Sequence, residues 1–245
     1  MSVPRAEAEL AGARLLALFP AGLEERSDGD RVELAVYTDE AGEAAVRRAF
    51  PAVDTALVAG GWEDRWRAFH VPVAAGGLWI GPPWIDPPAG VDPVVVDPGR
   101  AFGTGAHPTT RACIELLARL ERGSLLDAGC GSGVVAVAAA RLGFAPVHAV
   151  DVDEVAVEVA RATVRRNGVP VDVEVADVLA GALPAADVVV ANIELRVVEE
   201  LLARAPAPVA VTSGYLALET PSAAGWRRLE RLELEGWAAD VLVAK

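Results

Sequence analysis

Several short runs carry residue types at spacings that suit a bound nucleoside and a nearby amine. Asp127-Ala128-Gly129-Cys130-Gly131-Ser132-Gly133 is a D-x-G-x-G-x-G turn, whose glycines let backbone approach a ligand closely. Asp151, in Asp151-Val152-Asp153, lies 22 residues after Gly129, where a carboxylate can accept both hydrogen bonds from a ribose diol. Asp177, in Ala176-Asp177-Val178, can meet an adenine amino group or simply make a turn. Asn192, in Ala191-Asn192-Ile193, offers two donors and one acceptor, enough to hold an amine by its lone pair; a turn-forming Asn after a strand is the plainer alternative. Upstream, the glycine-rich loop 99–110 runs into a helix with Pro108 near its first turn and hydroxyls at Thr109 and Thr110. Phe102 stands there among small residues, with Thr104 and His107 close by, as a loop folding over a ligand would require.

Strand–helix alternation from Val94 onward is what positions these residues. LLDAGCG reads as a strand entering the glycine turn, and Val134–Leu142 as a helix closed by Gly143. Val147–Asp151 is a strand, and Asp153–Arg166 a helix capped by Asp153 and ended by Asn167-Gly168. Val171–Val175, Asp187–Ala191 and Val209–Ser213 are further strands; Glu194–Arg204 and Ser222–Leu229 are helices; Arg231–Ala244 reads as two strands. Short all-apolar strands between helices mean a mostly parallel, doubly wound α/β sheet covered on both faces, with ligands bound beyond the carboxyl ends of its strands. A nicotinamide site is disfavoured, because the dinucleotide turn needs G-x-G-x-x-G and this one gives G-x-G-x-G.

Ahead of this domain (94–245) the pattern differs. Residues 1–58 read as helix (5–18), strand (Gly22–Glu25), strand (Arg31–Tyr37), helix (Asp39–Phe50) and strand (Val53–Val58). That order suggests a small α+β, ferredoxin-like domain lacking most of its first strand. Residues 59–93 hold four of the six tryptophans, Trp62, Trp66, Trp79 and Trp84, among prolines and glycines. They read as a packed connector, with a short helix at Trp62–Phe69 and then extended chain.

Composition bounds the function. Of 245 residues, 53% are hydrophobic, which excludes a disordered regulator. Asp plus Glu number 35 against 22 Lys plus Arg, a net charge of −13 that repels phosphate backbones and excludes general nucleic-acid binding. A basic partner is better accommodated, although surplus acid also serves solubility. Without an apolar run of about 18 residues or a signal-peptide core, a soluble, cytoplasmic protein is expected; separately, a monomer is expected. Cys113 and Cys130 lack a paired spacing, and His70, His107 and His148 are far apart, so neither a disulfide framework nor a metal site is expected.

The run GRAFGTGAHPTT, followed by DAGCGSG, DVD, RRNGV and VVVANI, resembles the ribosomal protein L11 methyltransferase (PrmA) family. GWEDRW (61–66) and LWIGPPW (78–84) are similar to that family's connector, so the resemblance covers about residues 60–245. It implies a seven-strand Rossmann-like fold, S-adenosylmethionine as cofactor and a protein amine as methyl acceptor. Carried over by motif, Thr110, Gly129, Asp151 and Asn192 are the implied cofactor contacts; with the rest of the turn (Asp127, Gly131, Gly133) and Asp177 they complete the expected binding set. Asn192, Phe102 and Thr104 are the expected catalytic residues. The resemblance further implies that the N-terminal domain recognises ribosomal protein L11, the partner expected here. The first segment departs from the family by beginning almost at a helix, which leaves open another protein acceptor (a related branch methylates lysines of the electron transfer flavoprotein beta subunit), a small-molecule acceptor, or a binding module without catalysis.

Overall fold

Successive residues of the central strands point alternately to two apolar layers, as a sheet covered on both faces requires. In a computed structural model, Leu125, Val188, Val190, Val211 and Val241 join one buried cluster, while Leu126, Val189, Ala191, Ala210 and Leu242 join another. The structure describes residues 2–4, 8, 11–12, 14–15, 18–19, 24–28, 31–36, 38, 40–50, 53–55, 70–98, 103–205 and 207–245. The chain divides into two units, Met1–Glu63 and Asp64–Lys245.

In the first unit, β1 (Ser2–Pro4), β2 (Glu24–Asp28) and β3 (Arg31–Ala35) form an antiparallel sheet in the order β1-β3-β2, followed by α1 (Glu40–Ala49). Val32 and Leu34 of β3 are buried and alternate with exposed Arg31 and Glu33; with Val3, Ala8, Ala11, Leu15, Val46 and Phe50 they make this unit's core. The short β1 was not expected, since three residues carry no readable alternation. It pairs along its whole length with β3, and the Arg31 guanidinium donates to the Ser2 hydroxyl (2.9 Å) and carbonyl (2.6 Å). The strand expected at 53–58 is absent from residues 53–55, and 56–58 lie outside the described residues. Of the expected first helix, Ala11 and Leu15 are buried, Leu18 is 42% exposed, and Leu10 lies outside the described residues.

The second unit opens with β4 (Val73–Ala75), β5 (Leu78–Gly81) and β6 (Asp92–Val95), a three-stranded sheet in that order. Ala75, Leu78, Ile80, Val94 and Val96 belong to the main core, so this part of the expected connector is built into the unit. Asn167 ties β6 down, accepting from the Val95 amide and donating to its carbonyl, both at 2.8 Å. The helix expected at Trp62–Phe69 lies outside the described residues.

Next come α2 (Pro108–Arg119), β7 (Leu125–Ala128), α3 (Val134–Arg141), β8 (Val147–Asp151), α4 (Glu154–Asn167), β9 (Val171–Val175), β10 (Val188–Asn192), α5 (Leu195–Leu202), β11 (Val209–Leu216), β12 (Trp226–Leu234) and β13 (Trp237–Ala244). The seven strands order as β12-β13-β11-β10-β7-β8-β9; β9, β8, β7, β10 and β11 are parallel, and the β12–β13 hairpin is antiparallel. Helices α2, α3 and α4 bury their apolar stripes in one layer, and α5 buries Val198, Leu201 and Leu202 in the other. α4 begins and ends as the sequence indicates, with Asp153 accepting from the Val155 amide and Gly168 left-handed at the C-cap.

One expected helix is a strand. Residues 226–229 of Ser222–Leu229 begin β12, which pairs with β13 from Trp226↔Ala244 to Leu234↔Trp237. The local apolar spacing there is ambiguous, and the ladder offered by β13 decides it, because an unpaired edge would leave backbone groups unsatisfied.

Candidate functional site

The carboxyl ends of the parallel strands open into one cavity of about 690 Å³. Its lining follows the strand order. Asp151 ends β8, Ala176 and Asp177 follow β9, Gly129 follows β7, Asn192 ends β10, Gly214 lies near the end of β11, and Trp237 starts β13. Four strand spacings separate β8 from β13, about 19 Å at ~4.8 Å each. That is room for a nucleoside at one end and a second reactant at the other.

At the β8–β9 end, Asp151 is held on both oxygens. Oδ2 accepts from the Gly131 amide at 2.8 Å and Oδ1 from the Asp153 amide at 3.0 Å. The carboxylate therefore braces the glycine turn and still has lone pairs for two hydroxyls, since an ionised carboxylate accepts about four hydrogen bonds. Asp177 also lines the cavity, and its Oδ1 accepts from the Leu179 amide at 2.8 Å, so it makes the turn as well. Val152, Val178, Leu179, Ile193 and Val197 complete an apolar slot at this end, as a flat base requires.

Asp127 is the most perturbed carboxyl in this region. It is 2% exposed, its Oδ2 has no hydrogen-bond partner among the described residues, and it lines a small neighbouring cavity with Gly103, Thr110, Gly129, Gly131 and Asn192. Burial pushes it up to about 7; the charge of Asp151 adds to this, and a hydrogen bond with the Ala136 backbone opposes it. Burial likewise raises the thiols of Cys113 and Cys130.

Between the two ends, Asn192 Nδ2 donates to the Thr110 hydroxyl at 3.3 Å, which fixes the amide and leaves its carbonyl oxygen available. The backbone below is tightly constrained. Gly214 has φ +102, and a Cβ there would lie 2.0 Å from the Ile193 carbonyl oxygen. Only glycine lets β11 pass beneath the Asn192-Ile193 segment. The far end is walled by Trp237 and His107, whose rings meet edge-on with centroids 4.9 Å apart. His107 is the N-cap of α2; its Nδ1 accepts from the Thr109 amide (3.4 Å) and sits 2.7 Å from the Thr109 hydroxyl. Burial lowers its pKa, the Arg111 charge lowers it further, and Glu235 opposes.

The cavity thus gathers Gly129, Gly131, Asp151, Asp177 and Asn192, and the small cavity adds Asp127 and Thr110. Gly133 lines neither; it caps α3, and a Cβ there would meet Ala160 of α4 at 3.0 Å, so its smallness serves helix packing. Half-buried Thr104 lines neither cavity, and Phe102 lies outside the described residues. Sequence reasoning missed Gly214 and Trp237. Its signal for His107 was adjacency to the glycine loop, but it assigned the helix start to the threonine hydroxyls.

The profile of the ribosomal protein L11 methyltransferase (PrmA) family matches residues 13–219. A protein of that name from Pelotomaculum thermopropionicum is 41% identical over 199 residues, covering 73% of this chain and 64% of the relative. One from Symbiobacterium thermophilum is 42% identical over 146 residues, covering 58% and 48%. The chain therefore spans about half to two thirds of the length of these curated relatives. The fold is shared with a ribosomal protein L11 methylase from Lactobacillus delbrueckii subsp. bulgaricus (TM-score 0.64, 24% identity, 72% of this chain and 99% of that one). It is shared too with a Pyrococcus abyssi tRNA (uracil-54, C5)-methyltransferase solved with S-adenosyl-L-homocysteine (TM-score 0.51, 20% identity, 71% and 44%).

Proposed function

Because this chain belongs to the ribosomal protein L11 methyltransferase (PrmA) family, we propose that it transfers methyl groups from S-adenosylmethionine to amines of ribosomal protein L11, on lysine side chains, the N-terminus or both. The observation that carries this reading is the cavity running from Asp151 past Asn192 to Trp237 along one sheet edge, long enough for a nucleoside and an amine side by side.

The residues fit the cofactor. Asp151 retains lone pairs for the ribose diol, the apolar slot takes the adenine, and the unpartnered Oδ2 of buried Asp127 is a fitting acceptor for an ammonium such as that of the methionine moiety. The bound sulfonium supplies an already activated methyl group, so the protein must deliver a neutral amine about 3 Å away in line, with no strong base required. A lysine ammonium has a pKa near ~10.4 in water; leaving water for an apolar channel favours its neutral form. The His107–Trp237 wall provides that channel. Asn192, steadied by Thr110, then accepts an amine N–H through its carbonyl oxygen and so aims the lone pair. The family resemblance alone adds Phe102 and Thr104 to the proposed acceptor side; Thr104 lines neither cavity.

In the proposed division of labour residues 1–58 recognise the target and 94–245 bind cofactor and catalyse, while β4 and β5, within the expected connector 59–93, pack into the core of the catalytic unit. A net charge of −13 favours a basic protein substrate, and the reading places the enzyme in the cytoplasm. The test is to incubate the purified protein with isotopically labelled S-adenosylmethionine and ribosomal protein L11, then map label by mass spectrometry. Label on L11 amines is expected. Label absent from L11 but present on another protein of the cognate extract, or on a small amine, would refute the substrate; no binding of S-adenosylhomocysteine by calorimetry would refute the chemistry.

A further inference from the structure

Among the described residues, Glu235 is the one non-glycine held at positive φ (52°). It forms, with Gly236 (φ 84°), the two-residue turn between β12 and β13, in register with Leu234↔Trp237. Such turns ordinarily take Asn, Asp or Gly at the first position, because a longer side chain is disfavoured in the left-handed region. A disfavoured backbone held at the rim of a site is a reason to ask what its side chain does.

The side chain reaches α2. Arg111 Nη2 donates to Glu235 Oε1 at 2.5 Å, and the Arg111 side chain is 21% exposed against 61% for Glu235. Arg111 lies one helical turn after His107, donating its amide to the His107 carbonyl at 3.1 Å. Trp237 lies two residues after Glu235 and packs on the His107 ring. The ion pair and the aromatic contact therefore join the same two segments at adjacent points. A second pair, Arg119–Glu230, straps the same helix to the same hairpin farther from the cavity, at a residue with no such backbone strain.

We propose that the Glu235–Arg111 pair is a latch: it holds the hairpin tip on the start of α2, sets the Trp237–His107 wall, and so positions the incoming acceptor amine. Both are positioning residues for the acceptor; neither lines the cavity proposed to hold the cofactor. The inference rests on the reading that this end of the cavity admits the amine. The pair is half-buried on the Arg111 side, so the double variant also reports any contribution it makes to folding.

The test compares Glu235→Gln, Arg111→Met, the charge-reversed double variant Glu235→Arg/Arg111→Glu and the control Glu230→Gln, all in the full chain. Steady-state methylation of ribosomal protein L11 gives KM and kcat, calorimetry gives S-adenosylhomocysteine affinity, and proton NMR follows the ring-current shift that Trp237 imposes on His107. For either single variant, KM is expected to rise about fivefold or more, with kcat lowered and S-adenosylhomocysteine affinity within about twofold of wild type, because only amine placement is disturbed. The His107 shift should shrink in both, the charge-reversed pair should recover at least about half of the loss in KM, and Glu230→Gln should behave as wild type. Unchanged KM in both single variants, a parallel fall in S-adenosylhomocysteine affinity, or an equal effect from Glu230→Gln would overturn the latch. An unmoved His107 resonance in Glu235→Gln removes the latch alone, whereas a wild-type protein that methylates no amine removes the reading beneath it.

Discussion

Replacing Asp151 by Asn keeps the side chain's shape and changes only what its two outer atoms can do. In the wild type, one oxygen accepts from the Gly131 amide at 2.8 Å and the other from the Asp153 amide at 3.0 Å. An Asn carbonyl oxygen can satisfy one of those amides, but its NH2 then confronts the other donor, and one acceptor for the ribose diol disappears. A hydrogen bond to a charged group contributes about 1.5–3 kcal/mol, and a donor left without a partner costs about 1–3 kcal/mol. Losing one ribose bond should therefore weaken S-adenosylhomocysteine by roughly ten- to a hundredfold. The glycine turn should loosen as well, lowering stability by about 1–2 kcal/mol. Asp151→Ala, which removes both ribose acceptors, should bind more weakly still. Titration calorimetry with S-adenosylhomocysteine reads the first effect, and urea unfolding of the cofactor-free protein the second. An unchanged dissociation constant in the Asn variant, with the turn shown to be folded, would place the ribose elsewhere and refute the reasoning.

Asn192→Ala should lower kcat for the protein acceptor by about a hundredfold while leaving S-adenosylhomocysteine affinity and the melting temperature nearly unchanged, because its work is alignment; wild-type turnover would show it to be a turn residue only. Gly214→Ala should destabilise the fold by about 1–3 kcal/mol and abolish most activity, since its Cβ meets the Ile193 backbone; thermal unfolding and single-turnover rates together check this. Asp127 predicts a pH dependence. Its carboxyl is raised from 3.8 to about 7 in the folded state, so the folded protein binds the extra proton and stability falls as pH rises from about 4 to 7, levelling above. Asp127→Asn should remove that slope in cofactor-free unfolding curves, and should also lack the tightening of S-adenosylhomocysteine binding expected of the wild type as pH passes about 7; parallel curves for both proteins would mean that Asp127 is paired in the folded state.

The parallel sheet was legible in the sequence because its strands are short, apolar on both faces and separated by capped helices: Asp153 and Gly168 bound α4 by local chemistry alone. That Gly129, Asp151 and Asn192 share one cavity was legible for a related reason. Gly129, Asp151 and Asn192 each sit at the carboxyl end of a strand, and in a parallel sheet all such ends share one edge. What local pattern could not supply was pairing between distant segments. Residues 226–229, the start of β12, read as helix because their ladder partner, β13, supplies the deciding hydrogen bonds, and β1 is too short to show a period before β3 pairs with it. The end of the cavity at Trp237 and His107 was decided by tertiary structure in the same way. Trp237 follows a two-residue hairpin turn, His107 caps a helix 130 residues earlier, and Gly214 looks like any strand glycine until the Ile193 backbone is found 2.0 Å from where its Cβ would be. Residue type and short spacing specify what one segment can bind. Only the antiparallel return of the last two strands brings α2 and the hairpin together, because the wall between them consists of contacts whose partners lie more than a hundred residues apart and leave no periodic trace in either segment.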